Sequence, residues 1–271
     1  GSGENSGHVK IFRKNEFDSW VQIGSDIDGT AAGDRFGYSV SISDDGNTVL
    51  IGARFSDGDG RNNNGSASVY SYSADANEWT QKGTTIYGSS SNAHFGSAVA
   101  LSGDGTTLIV GSPGFDDSTA ADTGAVYYYK WNADGSTNTY TLQQTIIAPD
   151  KQINSRFGST VDLNDSGNRL VIGSENLSSS REMKFDVGET TFDLQDTGFS
   201  DENVGSGGAY TATMYNTKFI IDQRLHSAEV TPNDDFGRGV CMIDNIVLVG
   251  APDDSGNISS DGSTKVSKDG T

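Results

Sequence analysis

The chain has 271 residues, with 37 acidic against 18 basic side chains and a net charge of −19 at pH 7. Such a charge repels phosphate, which argues against a nucleic-acid partner or an anionic membrane surface. No apolar run is long enough to cross a bilayer as a helix, and the single Cys241 rules out an intrachain disulfide framework.

In chain order, the first strand-like stretches are Gly7-His8-Val9-Lys10-Ile11-Phe12 and Trp20-Val21-Gln22-Ile23. The pair Phe36-Gly37 follows, then an alternating segment with Val40 and Ile42 on one face and the small Ser39 and Ser41 on the other. Alternation with period two predicts a strand with one packed face, and small residues suit a crowded place near an axis. Asp44-Asp45-Gly46-Asn47 reads as a hairpin turn. Val49-Leu50-Ile51, apolar on both faces, predicts a strand buried between layers. The segment ends in Gly52-Ala53, and a loop rich in Asp, Asn and Gly leads to Gly65-Ser66-Ala67-Ser68-Val69-Tyr70 and then to Trp79-Thr80-Gln81-Lys82.

The same order returns three times. Phe95-Gly96, Phe157-Gly158 and Phe236-Gly237 begin new units, and Gly111-Ser112-Pro113, Gly173-Ser174 and Gly250-Ala251-Pro252 close their second strands. Third strands start at Gly124-Ala125-Val126 and Gly208-Ala209-Tyr210, and fourth strands at Tyr140 and Phe219. A repeated four-stranded antiparallel meander predicts propeller blades. The expected architecture is therefore all-β: a propeller of four-stranded blades of about 60 residues, numbering four to five or forming part of a larger ring. The expected divisions are a partial blade over 1–30, blades over 31–90, 91–150 and 151–230, and a partial blade over 231–271. The tally of two strands, three units and about three strands further suggests a piece of a longer chain, or a ring completed by a partner.

Phe-Gly, a fixed gap and then Gly-Ala-Pro resembles the FG-GAP repeat of integrin α-subunit heads and of microbial and viral surface proteins. The intact form stands at Phe236-Gly237 with Gly250-Ala251-Pro252. The likeness covers nearly the whole chain apart from 176–206, and it extends to structural proteins of marine phage particles. It implies a binding or scaffolding role in an extracellular, cell-surface or virion assembly. A calcium-stabilised adhesion domain is the alternative, and a propeller-based hydrolase a further one.

The family's calcium loop lies between strands one and two. Here that turn is one residue short and offers only Ser41, Ser43 and Asp45, or Ala100, Ser102 and Asp104, with Asp162, Asn164 and Ser166 the nearest approach. A second candidate follows the Gly-Ala element: Asp57, Asp59, Asn62 and Asn64; Asp116, Asp117 and Asp122; and Asp253, Asp254, Asn257 and Asp261. These residues either hold Ca2+ or make Asx-turns with their own backbone; no other cofactor is expected. His8, His94 and His226 fall at non-equivalent places and in no nucleophile or zinc motif, so no catalytic residue is assigned. His94 reads as a variable surface position and Cys241 as a small buried hydrophobe. Tyr70, Tyr72, Tyr127, Tyr128, Tyr129, Trp131, Trp20 and Trp79 are expected between blades, with an outer contact patch as the alternative. The third unit carries an insertion that reads as a hairpin around Gly188. Phe185, Phe192, Asp193 and Phe199 on it are candidate contacts for a protein or glycan partner, the alternative being a hairpin folded back to shield a sheet edge.

Overall fold

The computed structural model describes residues 3–118, 120–133, 138–178, 205–226 and 233–253, and the backbone alone of 183–187 and 190–194. Every regular element among them is a β-strand. The chain opens with β1 (His8–Val9), β2 (Phe12–Lys14), β3 (Trp20–Gln22) and β4 (Ile27–Asp28), in which β1 pairs with β4 and β2 with β3. The first complete sheet runs β5 (Ser39–Ile42), β6 (Thr48–Ala53), β7 (Ser66–Ser73) and β8 (Glu78–Gln81), with β9 (Ile86–Tyr87) also on β7. The second comprises β10 (Ala98–Leu101), β11 (Thr107–Ser112), β12 (Ala125–Asn132) and β13 (Thr139–Ile146). The third unit contains β14 (Phe157–Leu163), β15 (Arg169–Ser174), a separate hairpin of β16 (Met183–Val187) and β17 (Thr190–Leu194), then β18 (Gly208–Tyr215) and β19 (Lys218–Leu225). Its sheet order is β14-β15-β18-β19, so the hairpin is inserted between second and third strands. The last pair is β20 (Gly239–Ile243) with β21 (Ile246–Gly250). These are blades of a β-propeller, each an antiparallel meander.

The core lies between blades rather than within them. Leu50, Ala67 and Val69 of one sheet pack with Phe95, Val99, Leu101, Leu108 and Tyr127 of the next. Ala98, Ile109 and Tyr128 pack in turn with Phe157, Val161, Leu170, Ile172 and Tyr210. Second strands are buried on both faces for this reason; Leu50, Ile51, Leu108, Ile109, Leu170 and Ile172 are fully enclosed. In the first three Phe-Gly pairs the Phe meets a third-strand tyrosine edge to face: Phe36 with Tyr70 at 6.3 Å, Phe95 with Tyr127 at 5.3 Å and Phe157 with Tyr210 at 5.2 Å.

The glycines of the repeat mark where neighbouring backbones touch. A Cβ on Gly52 would lie 2.2 Å from the Gly96 carbonyl oxygen, and one on Gly111 2.1 Å from that of Gly158. Gly65 bridges Phe95 in parallel, and Gly124 bridges Phe157 in the same way. The Phe-Gly and Gly-Ala elements are thus two halves of one contact made across successive blades. First strands add side-chain links: Ser39 Oγ donates to the Gly96 carbonyl at 2.8 Å, and Leu101 N–H to Ser41 Oγ at 3.0 Å. Met242 N–H donates to Asp162 Oδ2 at 2.7 Å.

Three expectations need correction. Val40 and Ile42 do not face a packed layer but are 59% and 51% exposed, because β10 lies on the side of Ser39 and Ser41 and no described first strand lies on the other. Cys241 is exposed, not buried, although it lies beside Asp162 of the preceding first strand. Trp20 is also exposed, whereas Trp79 and Tyr127, Tyr128 and Tyr129 fill the blade interfaces as expected.

Candidate functional site

The segment before each Phe-Gly pair is shaped by the loop of the preceding unit. Arg35 N–H donates to the Asn5 carbonyl, His94 N–H to that of Asn63, and Arg156 N–H to that of Asp122. This docking holds Arg35, His94 and Arg156 in the left-handed region, at φ 53°, 53° and 54°. Such a conformation disfavours ordinary side chains and is kept only where the surroundings enforce it. Side chains at this place are thereby aimed from a rigid frame.

Two such frames, those of His94 and Arg156, meet around a cavity of about 210 Å³. Its walls are repeat-equivalent positions of successive blades: Tyr38, Ser97 and Ser159 after the Phe-Gly pairs; Arg54, Pro113 and Glu175 after the second strands; and His94 and Arg156 before the next Phe-Gly. Asp122 completes the polar lining. The frame is constant while its side chains differ, the pattern of a scaffold that varies only its contact residues.

The guanidinium of Arg54 lies 4.8 Å from the ring centre of Tyr38 and 4.8 Å from that of Phe55. It donates from one terminal nitrogen to Tyr38 Oη at 2.7 Å. Its Nε is buried with no hydrogen-bond partner among the described residues, a state that costs about 1–3 kcal/mol where no acceptor arrives. Arg156, in contrast, is engaged by Glu175 at 2.9 Å. The His94 ring packs edge-on against Phe55 at 5.3 Å. Burial pushes its imidazole below the ordinary value, and the Arg54 and Arg156 charges push the same way, opposed by Asp122. The ring is therefore neutral at pH 7.

Of the sequence-derived candidates, only Asp122 lines this cavity among the described residues; the others fall elsewhere. Asp57 Oδ1 accepts the Asn63 N–H at 2.6 Å, and Asp116 Oδ1 the Asp122 N–H at 2.8 Å. The fully buried Asn64 accepts from Gly58 N–H and donates to the Gly58 and Gly88 carbonyls. Asp59 lies 3.9 Å from Arg61, Asn62 is exposed, and Asp117 pairs with Lys151 at 3.2 Å. Asp253 meets Arg238 at 3.4 Å. Asp254, Asn257, Asp261 and Phe199 lie outside the described residues. For Phe185, Phe192 and Asp193 the backbone alone is described, with Phe185 opposite Phe192 and Lys184 opposite Asp193 in the hairpin. Among the described residues no group of three His, Cys, Asp or Glu side chains stands close enough to hold a metal. In the shortened turns, Ser43 Oγ and Asn47 N–H both donate to Asp45 Oδ1, and Asn164 Oδ1 accepts from Asn168 and Arg169. These carboxylates and amides therefore serve their own loops. Alignment of the four units against one another would have exposed the cavity, because Arg54, Pro113 and Glu175 vary within an otherwise constant setting.

No protein of curated function matches the chain in sequence. Solved structures similar to it include the periplasmic gluconolactonase PpgL of Pseudomonas aeruginosa, at 15% identity and TM-score 0.39 over 84% of this chain and 66% of that one. The tricorn protease is similar at 9% identity and TM-score 0.39, over 91% of this chain and 21% of that one. The chain thus spans less than two thirds of either structure. The family model of the FG-GAP repeat matches residues 27–70 and 85–129, the first two Phe-Gly to third-strand segments. The same blade contacts recur at Phe157-Gly158 and Phe236-Gly237, so the chain carries FG-GAP repeats, which the family model matches in its first two units.

Proposed function

We propose that the chain is a non-catalytic binding module of an extracellular or virion assembly, presenting the loop face that carries the Arg54–His94–Arg156 cavity to a protein or glycan partner. One observation carries this reading: equivalent positions of three successive blades converge on a single concavity with different side chains, held by loops that spend their own polar groups on rigidity. The lining supports recognition better than chemistry. Arg156 is neutralised by Glu175, and His94 packs edge-on against Phe55 beside a guanidinium. General acid–base work calls for a titratable group within hydrogen-bond reach of its partner. The acidic loops support the calcium-stabilised reading less well, because their carboxylates bind backbone N–H groups and lysine or arginine.

The test is a glycan and protein array probed with the intact chain, run beside a turnover assay on any captured ligand. Saturable capture without product formation is the expected result. Product formation that disappears on substituting His94 would overturn the non-catalytic reading.

A further inference from the structure

We propose that the cavity between Tyr38, Arg54, His94 and Arg156 takes a single carboxylate-bearing sugar residue, with Arg54 receiving the carboxylate. The inference rests on the binding-module reading and specifies its ligand.

Size sets the first limit. A space of about 210 Å³ is below the usual range for drug-sized ligands and suits one sugar ring. The hydroxyls of Tyr38, Ser97 and Ser159 and the carboxylates of Asp122 and Glu175 offer both donors and acceptors to ring hydroxyls. Charge then narrows the class. Arg156 already has Glu175, whereas among the described residues Arg54 has its bond to Tyr38 Oη and its contacts with two rings but no carboxylate. A planar carboxylate matches the geometry of the guanidinium fork. A dianionic phosphate fits less well, because Asp122 and Glu175 stand in the same wall. Tyr38, an exposed aromatic at the rim, offers a flat apolar face for the sugar ring.

His94 adds a dependence on pH. The charged groups acting on it are Arg54 and Arg156, which disfavour the imidazolium, and Asp122, which favours it; Glu175 reaches it only through Arg156. A bound carboxylate adds negative charge beside the ring and favours proton uptake. Binding therefore tightens as pH falls from neutral toward about 5, where a sugar carboxylate is still ionised.

The experiment titrates the intact chain with glucuronate, glucose and glucose 6-phosphate, followed by NMR or calorimetry. Glucuronate is expected to bind saturably, at least about tenfold more tightly than glucose, with glucose 6-phosphate weaker than glucuronate. Arg54→Gln should weaken glucuronate by about tenfold and leave glucose little changed. Should Arg54→Gln lower the melting temperature, Arg54→Lys gives the same reading, since it retains the charge and loses the fork. Equal affinity for glucose and glucuronate, or undiminished binding in both variants, overturns the proposal. So does the absence of saturable glucuronate binding, and if array capture persists in that case the module reading survives alone. Conversion of glucuronate that is lost with Arg54→Gln would support the site and remove the non-catalytic reading instead.

Discussion

Gly60 and Gly65 share nearly the same backbone angle, φ +75° and +77°, yet a Cβ on Gly60 would meet nothing within 4 Å and one on Gly65 would sit 2.1 Å from the Phe95 carbonyl oxygen. The pair separates two costs that are usually entangled. Gly60→Ala adds only the left-handed penalty of an L-residue, about 1–2 kcal/mol. Gly65→Ala must in addition push two blades apart at a point where both backbones are fixed by hydrogen bonds, and the expected loss exceeds about 3 kcal/mol. Urea denaturation of both variants measures the difference. Equal losses would mean that the blade contact yields freely, and that the repeat keeps this glycine for its dihedral angle alone. At the same scale, His94 shows where sequence reading fell short. Its place before Phe95 was visible, but its left-handed backbone comes from the N–H bond to Asn63, a residue in another unit. Nothing local in the sequence announces such a constraint.

Identical strands can live in different surroundings. Ile42 and Leu101 hold the same place at the end of a first strand, but Leu101 is 6% exposed beneath the neighbouring blade and Ile42 is 51% exposed. Leu101→Ala is expected to cost about 2–5 kcal/mol, and Ile42→Ala no more than about 1 kcal/mol. Thermal or chemical melts of the two variants decide it. A comparable loss at Ile42 would require a packed layer over β5 in solution. The four-stranded meanders, their turns and the insertion hairpin were legible in the sequence because each depends on a short-range pattern: alternation, a Gly-containing turn, an apolar run. Burial was not. Val40 and Val99 are the same residue at the same register, exposed in one blade and enclosed in the next, because what covers a first strand is the adjoining unit. The acidic loops left two readings open in the sequence, and the structure shows the local one: Asp57 and Asp116 each accept an N–H six residues on in the same loop.

The whole molecule is a row of interfaces. Its apolar clusters each draw on two successive units, so stability passes from blade to blade rather than residing in any one of them. Phe95 sits in the middle of one such interface, 1% exposed, against Tyr127 of its own unit and in one cluster with Leu50, Ala67 and Val69 of the preceding one. Phe95→Ala removes about 3–5 kcal/mol of packing from a contact that two blades share. Hydrogen exchange followed by mass spectrometry should then show faster exchange on both sides of the interface, in β6 and β7 as well as in β10 and β11. Protection in β15 and β18, whose apolar residues belong to other clusters, should fall much less. Loss confined to the blade that carries Phe95 would mean that each meanders' own hydrogen bonds set its stability. Loss spread evenly to β15 and β18 would mean a single cooperative unit. Only the graded outcome fits a protein whose repeat glycines, phenylalanines and tyrosines meet at the junctions, and it would explain why the repeat keeps its interface residues while leaving the cavity-lining positions free to differ.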